Sequence, residues 1–141
     1  MRRWFVLSLL FLGAGCSPVE PVVVFPNETV VHVDIADDIF EREKGFSGRE
    51  SLEADEGLLF LHDGLEYQRY WMKDMFIPID ILWIDGERVV GFVQDAQPED
   101  PAETIYTSPA PVDKVLEVSA GFVSQNGLKI GDILDIRLAD E

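Results

Sequence analysis

Lys73, Asp74 and Asp80 stand inside YWMKDMFIPIDILWID, residues 70–85, where most other side chains are aromatic, aliphatic or sulfur-bearing. A charge in such company needs a partner, because burying an ionised carboxylate bare is costly. Read as a strand, the stretch before Pro78 puts Trp71, Lys73 and Met75 on one face and Met72, Asp74 and Phe76 on the other. Lys73 thus shares a side with an indole. Its ammonium can meet an anionic or polar ligand there, or lift into water while its methylenes cover the ring. Asp80 opens a strand that is otherwise apolar, beyond a proline bend that lets it converge with Lys73. Trp71, Lys73 and Asp80 are therefore the first candidates for a polar site in an aromatic-lined cleft, with a structural ion pair as the alternative.

Other chemistry is thinner. His32 and His62 are the only histidines, and neither has a second ligand at useful spacing, so no metal site is expected. His62 and Asp63 are adjacent and point to opposite faces of a strand, which argues against a dyad. No Ser-His-Asp order and no glycine-rich phosphate loop is present. Asp80 with Glu117 is the carboxylate pair that could do acid–base work on a glycoside. No catalytic residue and no cofactor is assigned, and a binding role is preferred to an enzymatic one.

The elements that must position these residues read mostly as strands. Val31, Val33 and Ile35 alternate with Val30, His32 and Asp34, the period of a half-buried strand. Asp38 and Glu41 have capping-box spacing for a short helix that Gly45 ends. Gly57 precedes LLFLH, a buried strand. Asp85-Gly86 between two apolar runs predicts a two-residue hairpin turn in which Ile84 faces Glu87 and Asp80 faces Gly91. Val112 to Ser119 and Asp132 to Leu138 supply two more strands, with a proline-rich loop from Gln97 to Pro111. No βαβ alternation is visible. The expected fold is mainly β: a single compact β-sandwich, jelly-roll-like, or a half-barrel, with one or two short helices.

The first residues carry a different signal. MRRWFVLSLLFLGAGC has two arginines, an apolar run and small residues ending at Cys16, the sole cysteine of the 141-residue chain. That is the layout of a secretory signal, and it resembles a bacterial lipoprotein signal in which the cysteine becomes the lipidated N-terminus. The expected organisation is a signal over 1–15, a lipidated cysteine and extended tether over 16–29, and one β-rich domain over 30–141. With Cys16 lipidated, no thiol remains for a disulfide or a nucleophile. The whole chain has a net charge of −16, and loss of the signal with Arg2 and Arg3 leaves −18. Such a surface repels phosphate backbones, so nucleic acid is not an expected partner.

WMKDMFIPIDILWID, with EREKGFSGRESL and GLLF before it and VLEVSAGFVSQNGLKIGD after it, resembles the domain of unknown function 192 family. Trp71, Met72, Lys73, Pro78, Asp80, Glu117, Gly131 and Asp132 match its pattern, and Arg42 heads the arginine-x-x-glycine element. Phe46-Ser47, Asp74-Met75 and Tyr70 depart from it. The resemblance implies a small jelly-roll β-sandwich, often exported or lipid-anchored, and no known reaction. The expected function is that of a lipoprotein of the cell envelope, facing the periplasm or exterior. It would bind an unknown small molecule through Trp71, Lys73, Asp80, Glu117 and Arg42. The alternatives are a protein–protein accessory of the envelope and, less favoured, a hydrolase using Asp80 and Glu117.

Overall fold

The computed structural model describes residues 19–98 and 104–139; Cys16 and the expected signal lie outside the described residues. Strands form where β-branched and aromatic residues run together: β1 (Val22–Val24), β2 (Val30–Ala36), β3 (Glu56–Glu66), β4 (Arg69–Tyr70), β5 (Ile79–Asp85), β6 (Arg88–Ala96), β7 (Tyr106–Thr107), β8 (Val112–Ser119) and β9 (Asp135–Arg137). Two short helices, α1 (Ile39–Lys44) and α2 (Phe122–Asn126), complete the set. Seven strands make one sheet in the order β6-β5-β8-β3-β2-β1-β9, and β4 pairs with β7 in a small second sheet.

The large sheet curls until its ends meet. Val89 N–H donates to the Asp132 carbonyl at 2.9 Å, Gly131 N–H to the Val89 carbonyl at 2.8 Å and Leu134 N–H to the Glu87 carbonyl at 2.9 Å. The fold is thus mainly β, in its half-barrel form. Both faces are covered. Leu59, Leu82, Ile84, Leu116 and Val118 turn inward onto Val23, Val31, Phe122 and Leu134. Phe60, Ile81, Trp83 and Val115 turn outward onto Phe46, Met72, Met75 and Ile77. That two-sided burial explains why β5 reads as a continuous apolar run from Ile81 to Ile84.

Four expectations are corrected. Val22–Val24, placed in a tether over 16–29, form β1 between β2 and β9. Absence of βαβ alternation also fails, since β2 and β3 are parallel and α1 lies in the crossover. With six residues and none of them buried, α1 has no apolar stripe to announce it. At its start Asp38 accepts from Glu41 N–H at 2.8 Å, while the Glu41 carboxylate accepts from Asp37 N–H at 3.2 Å. The last expected strand shrinks to Asp135–Arg137, the residues that pair with β1.

The fourth correction is register. Asp85 pairs with Arg88, so Gly86 and Glu87 are the turn residues, and Gly86 alone has positive φ, at 60°. This is the pattern of a type II′ turn, with glycine first. Two irregularities then shift the ladder, so that Trp83 faces Gly91 and Ile79 faces Ala96. Gly91 stands opposite Trp83 and not Asp80. A Cβ there would lie 2.7 Å from Pro109 Cγ. Glycine thus lets the proline-rich loop pack on the hairpin.

Candidate functional site

Asp80 is fully buried, and its partners are backbone amides. Asp95 N–H donates to its Oδ1 at 2.8 Å, Gly121 N–H to Oδ1 at 3.2 Å and Val123 N–H to Oδ2 at 2.9 Å. Asp95 lies in the irregular part of β6 with φ of 55°, which aims its amide at the carboxylate. Gly121 and Val123 open α2, whose N-cap glycine has no side chain to do that work. Asp80 therefore caps α2 from a neighbouring strand. The expected meeting with Lys73 does not occur. Residues 71–78 form a turn and not a strand; Met72 and Met75 enter the core while Lys73 stays exposed. The main chain of this turn is tied down by Gly48 N–H to the Asp74 carbonyl at 2.9 Å and Ser47 Oγ–H to the Lys73 carbonyl at 3.1 Å. A site made of Lys73 and Asp80 is thereby ruled out.

Glu117 belongs to the opposite face. Asp80 pairs with Val118 of the inner core, whereas Glu117 pairs with Ile81 and Leu58 of the outer one. Side chains alternate along a strand, so the two carboxylates point away from each other across the sheet. A hydrolase using Asp80 with Glu117 has no geometric basis.

Glu117 is 4% exposed, and its Oε2 has no hydrogen-bond partner. It faces a cleft of about 210 Å³ between α1, the start of the 45–49 segment, β3 and β4. Arg42, Phe46, Phe60, His62, Tyr70 and Trp71 help to line it. Gly45, with φ of 47°, leaves the space: a Cβ there would stand 3.9 Å from Glu117 Oε2 and 3.5 Å from Phe60 Cζ. Burial pushes the Glu117 carboxyl up to about 8, so it is protonated at neutral pH.

The walls are ordered. Tyr70 stands edge-on to Phe60 at 4.9 Å and to Trp83 at 5.6 Å, and its hydroxyl is 3.0 Å from His62 Nε2. Burial first, then Glu117, hold the Tyr70 hydroxyl protonated well above its ordinary range, with Arg42 pulling the other way. Burial first and Arg42 second push His62 below its ordinary value, against Asp63, Glu66 and Asp113. A neutral His62 therefore accepts at Nε2 from the Tyr70 hydroxyl. Arg42 donates through Nη1 to the Asp37 and Leu61 carbonyls, fastening α1 to β3. Trp71 is half exposed at the mouth.

Of the five expected ligand-binding residues, the fold gathers Trp71, Arg42 and Glu117 here, and leaves Lys73 and Asp80 elsewhere. His62 and Tyr70 were not among the candidates. The signal for His62 was its place two residues after Phe60 on β3, which puts both on the face that also carries Glu117. No group of three metal-ligating side chains is found among the described residues.

Comparison with known proteins agrees with this fold. The chain is similar to a protein of unknown function from Novosphingobium aromaticivorans DSM 12444, at 27% identity and a TM-score of 0.75, over 92% of this chain and 93% of that one. It is also similar to a putative transcription regulator from Sinorhizobium meliloti 1021, at 29% identity and a TM-score of 0.76, over 87% and 98%. No curated protein matches the sequence. The family described as uncharacterized ACR, DUF192, matches residues 22–136, and the chain belongs to that family.

Proposed function

We propose that the domain is a binding module that holds a small molecule in the Glu117 cleft. The observation that carries this reading is the orphan Oε2 of Glu117, buried yet facing an open cleft. A buried polar atom without a partner costs stability, about 1–3 kcal/mol. A ligand that supplies the missing hydrogen bond would recover it. The cleft has the usual make-up of such sites, an apolar and aromatic wall with a few converging polar groups. At about 210 Å³ it suits a ligand below drug size.

Cys16 is proposed to carry a lipid that holds this module at an envelope membrane, facing the periplasm or exterior, on the strength of the signal-like segment before it. Transcription regulation, the role named for one similar structure, is not adopted, because a chain of net charge −16 repels nucleic acid.

The test is a thermal-shift screen of the soluble domain and of Glu117→Leu against small acids, sugars, amino acids and nucleosides. Glu117→Leu is expected to fold at least as stably as the parent at pH 8 and to lose the shift that the parent shows. A ligand that stabilises both proteins equally would place binding outside this cleft.

A further inference from the structure

We infer that the cleft takes a small organic anion: a carboxylate carried on a flat apolar body. This rests on the binding reading above and adds the class of ligand. The chain is strongly acidic, yet Arg42, Lys44 and Arg69 all line this one cleft. None of the three forms an ion pair among the described residues, where the ion pairs are His32–Glu20, Arg49–Glu56, Lys114–Asp113 and Arg137–Asp135. A solubilising acidic surface has no need to collect unpaired bases around a hollow.

The charged and titratable side chains of the lining come from several elements around the cleft. From α1 come Arg42, Glu43 and Lys44; from β3 comes His62, and from β4 come Arg69 and Tyr70. His62 and Tyr70 are neutral for the reasons given; within the lining Glu43 opposes the three bases, and Asp63, Glu66 and Asp113 act on His62 from just beyond it. The lining itself therefore carries more basic than ionised acidic side chains. Charges farther than about 8–10 Å are largely screened at physiological salt, so these bases together with the acids near His62, and not the chain's net charge, decide the bound state.

Glu117 fits the same ligand. As a protonated acid it offers an O–H, and a carboxylate is a strong acceptor for it. Trp71, half exposed at the mouth, supplies a flat surface for the ligand's body. A bare inorganic anion would leave that surface unused. A neutral amide would leave Arg42, Lys44 and Arg69 without a counter-charge.

The experiment measures binding of two matched pairs, phenylacetate with phenylacetamide and 4-hydroxybenzoate with its amide, and of inorganic phosphate. Thermal shift and tryptophan fluorescence are read at pH 6.5 and pH 9. Each acid is expected to bind at pH 6.5 at least about tenfold more tightly than its amide, and to weaken at pH 9 as Glu117 ionises. Lys44→Gln with Arg69→Gln, both exposed positions, should weaken the acids roughly fivefold and leave the amides unchanged. Amides that bind as tightly as acids would overturn the anion inference while the binding reading stands. Phosphate binding as tightly as phenylacetate would overturn the requirement for an apolar body. Absence of binding by every probe would overturn both.

Discussion

Asp80 and Glu117 are the buried acids among the described residues, and the fold treats them in opposite ways. Asp80 receives three amide hydrogens and stays inside the structure as a fastener between β5, β6 and α2. Glu117 receives no partner at Oε2 and avoids a bare charge by keeping its proton. That difference has a pH signature. Glu117 ionises in the unfolded chain near 4.5 and in the fold only near 8. Between those values the unfolded state binds fewer protons, so stability falls as pH rises from about 4.5 to about 8. The full loss is on the order of 5 kcal/mol. Glu117→Gln should remove that part of the slope, read as unfolding free energy in denaturant at pH 5, 6.5 and 8. Equal slopes for parent and variant would mean that Glu117 is solvated or paired. Both acids were legible in the sequence, as charges within apolar strands. Their partners were not, because backbone amides carry no residue identity and the face of each acid depends on the ladder.

At the scale of elements, the central strands of the sheet could be read from their composition, while β1, the extent of β9 and the pairing could not. Asp85-Gly86 marked the hairpin correctly but one residue early, because type I′ and type II′ turns place glycine differently and both occur between such runs. That alone displaces Asp80 from Gly91, and two irregularities in β5–β6 widen the error. The alternation assumed for residues 71–76 failed for a related reason. Met72 and Met75 are both buried, a spacing of three that a turn produces and a strand does not. Gly91 offers a test of the register that the fold adopts. Gly91→Ala should cost about 1–3 kcal/mol, because its Cβ strikes Pro109 Cγ. Adding Pro109→Ala should recover most of the loss, as expected for neighbours that couple. A double variant as unstable as Gly91→Ala alone would show that the collision is not the cause.

The whole molecule combines an acidic chain with an aromatic-walled hollow, lined by Arg42, Lys44 and Arg69, on the outer face of a half-barrel. The proposed anchor places that hollow at a membrane surface. Cys16→Ser should move the full-length protein from the membrane to the soluble fraction; a variant that still sediments with membranes would rule the anchor out. The inner core and the strap made by residues 71–78 are scaffold on this account. Trp71 and Met75 are the points where that strap reaches the cleft. The central claim is that ligand meets the protein at Glu117 and not at Lys73 and Asp80. Its most direct test is chemical-shift mapping of the isotopically labelled soluble domain titrated with phenylacetate. The account predicts saturable shifts at the Gly45 amide, the His62 ring and the Trp71 indole, with the Asp95, Gly121 and Val123 amides around Asp80 unmoved. Saturable shifts centred on Asp95, Gly121 and Val123, with Gly45, His62 and Trp71 silent, would contradict it.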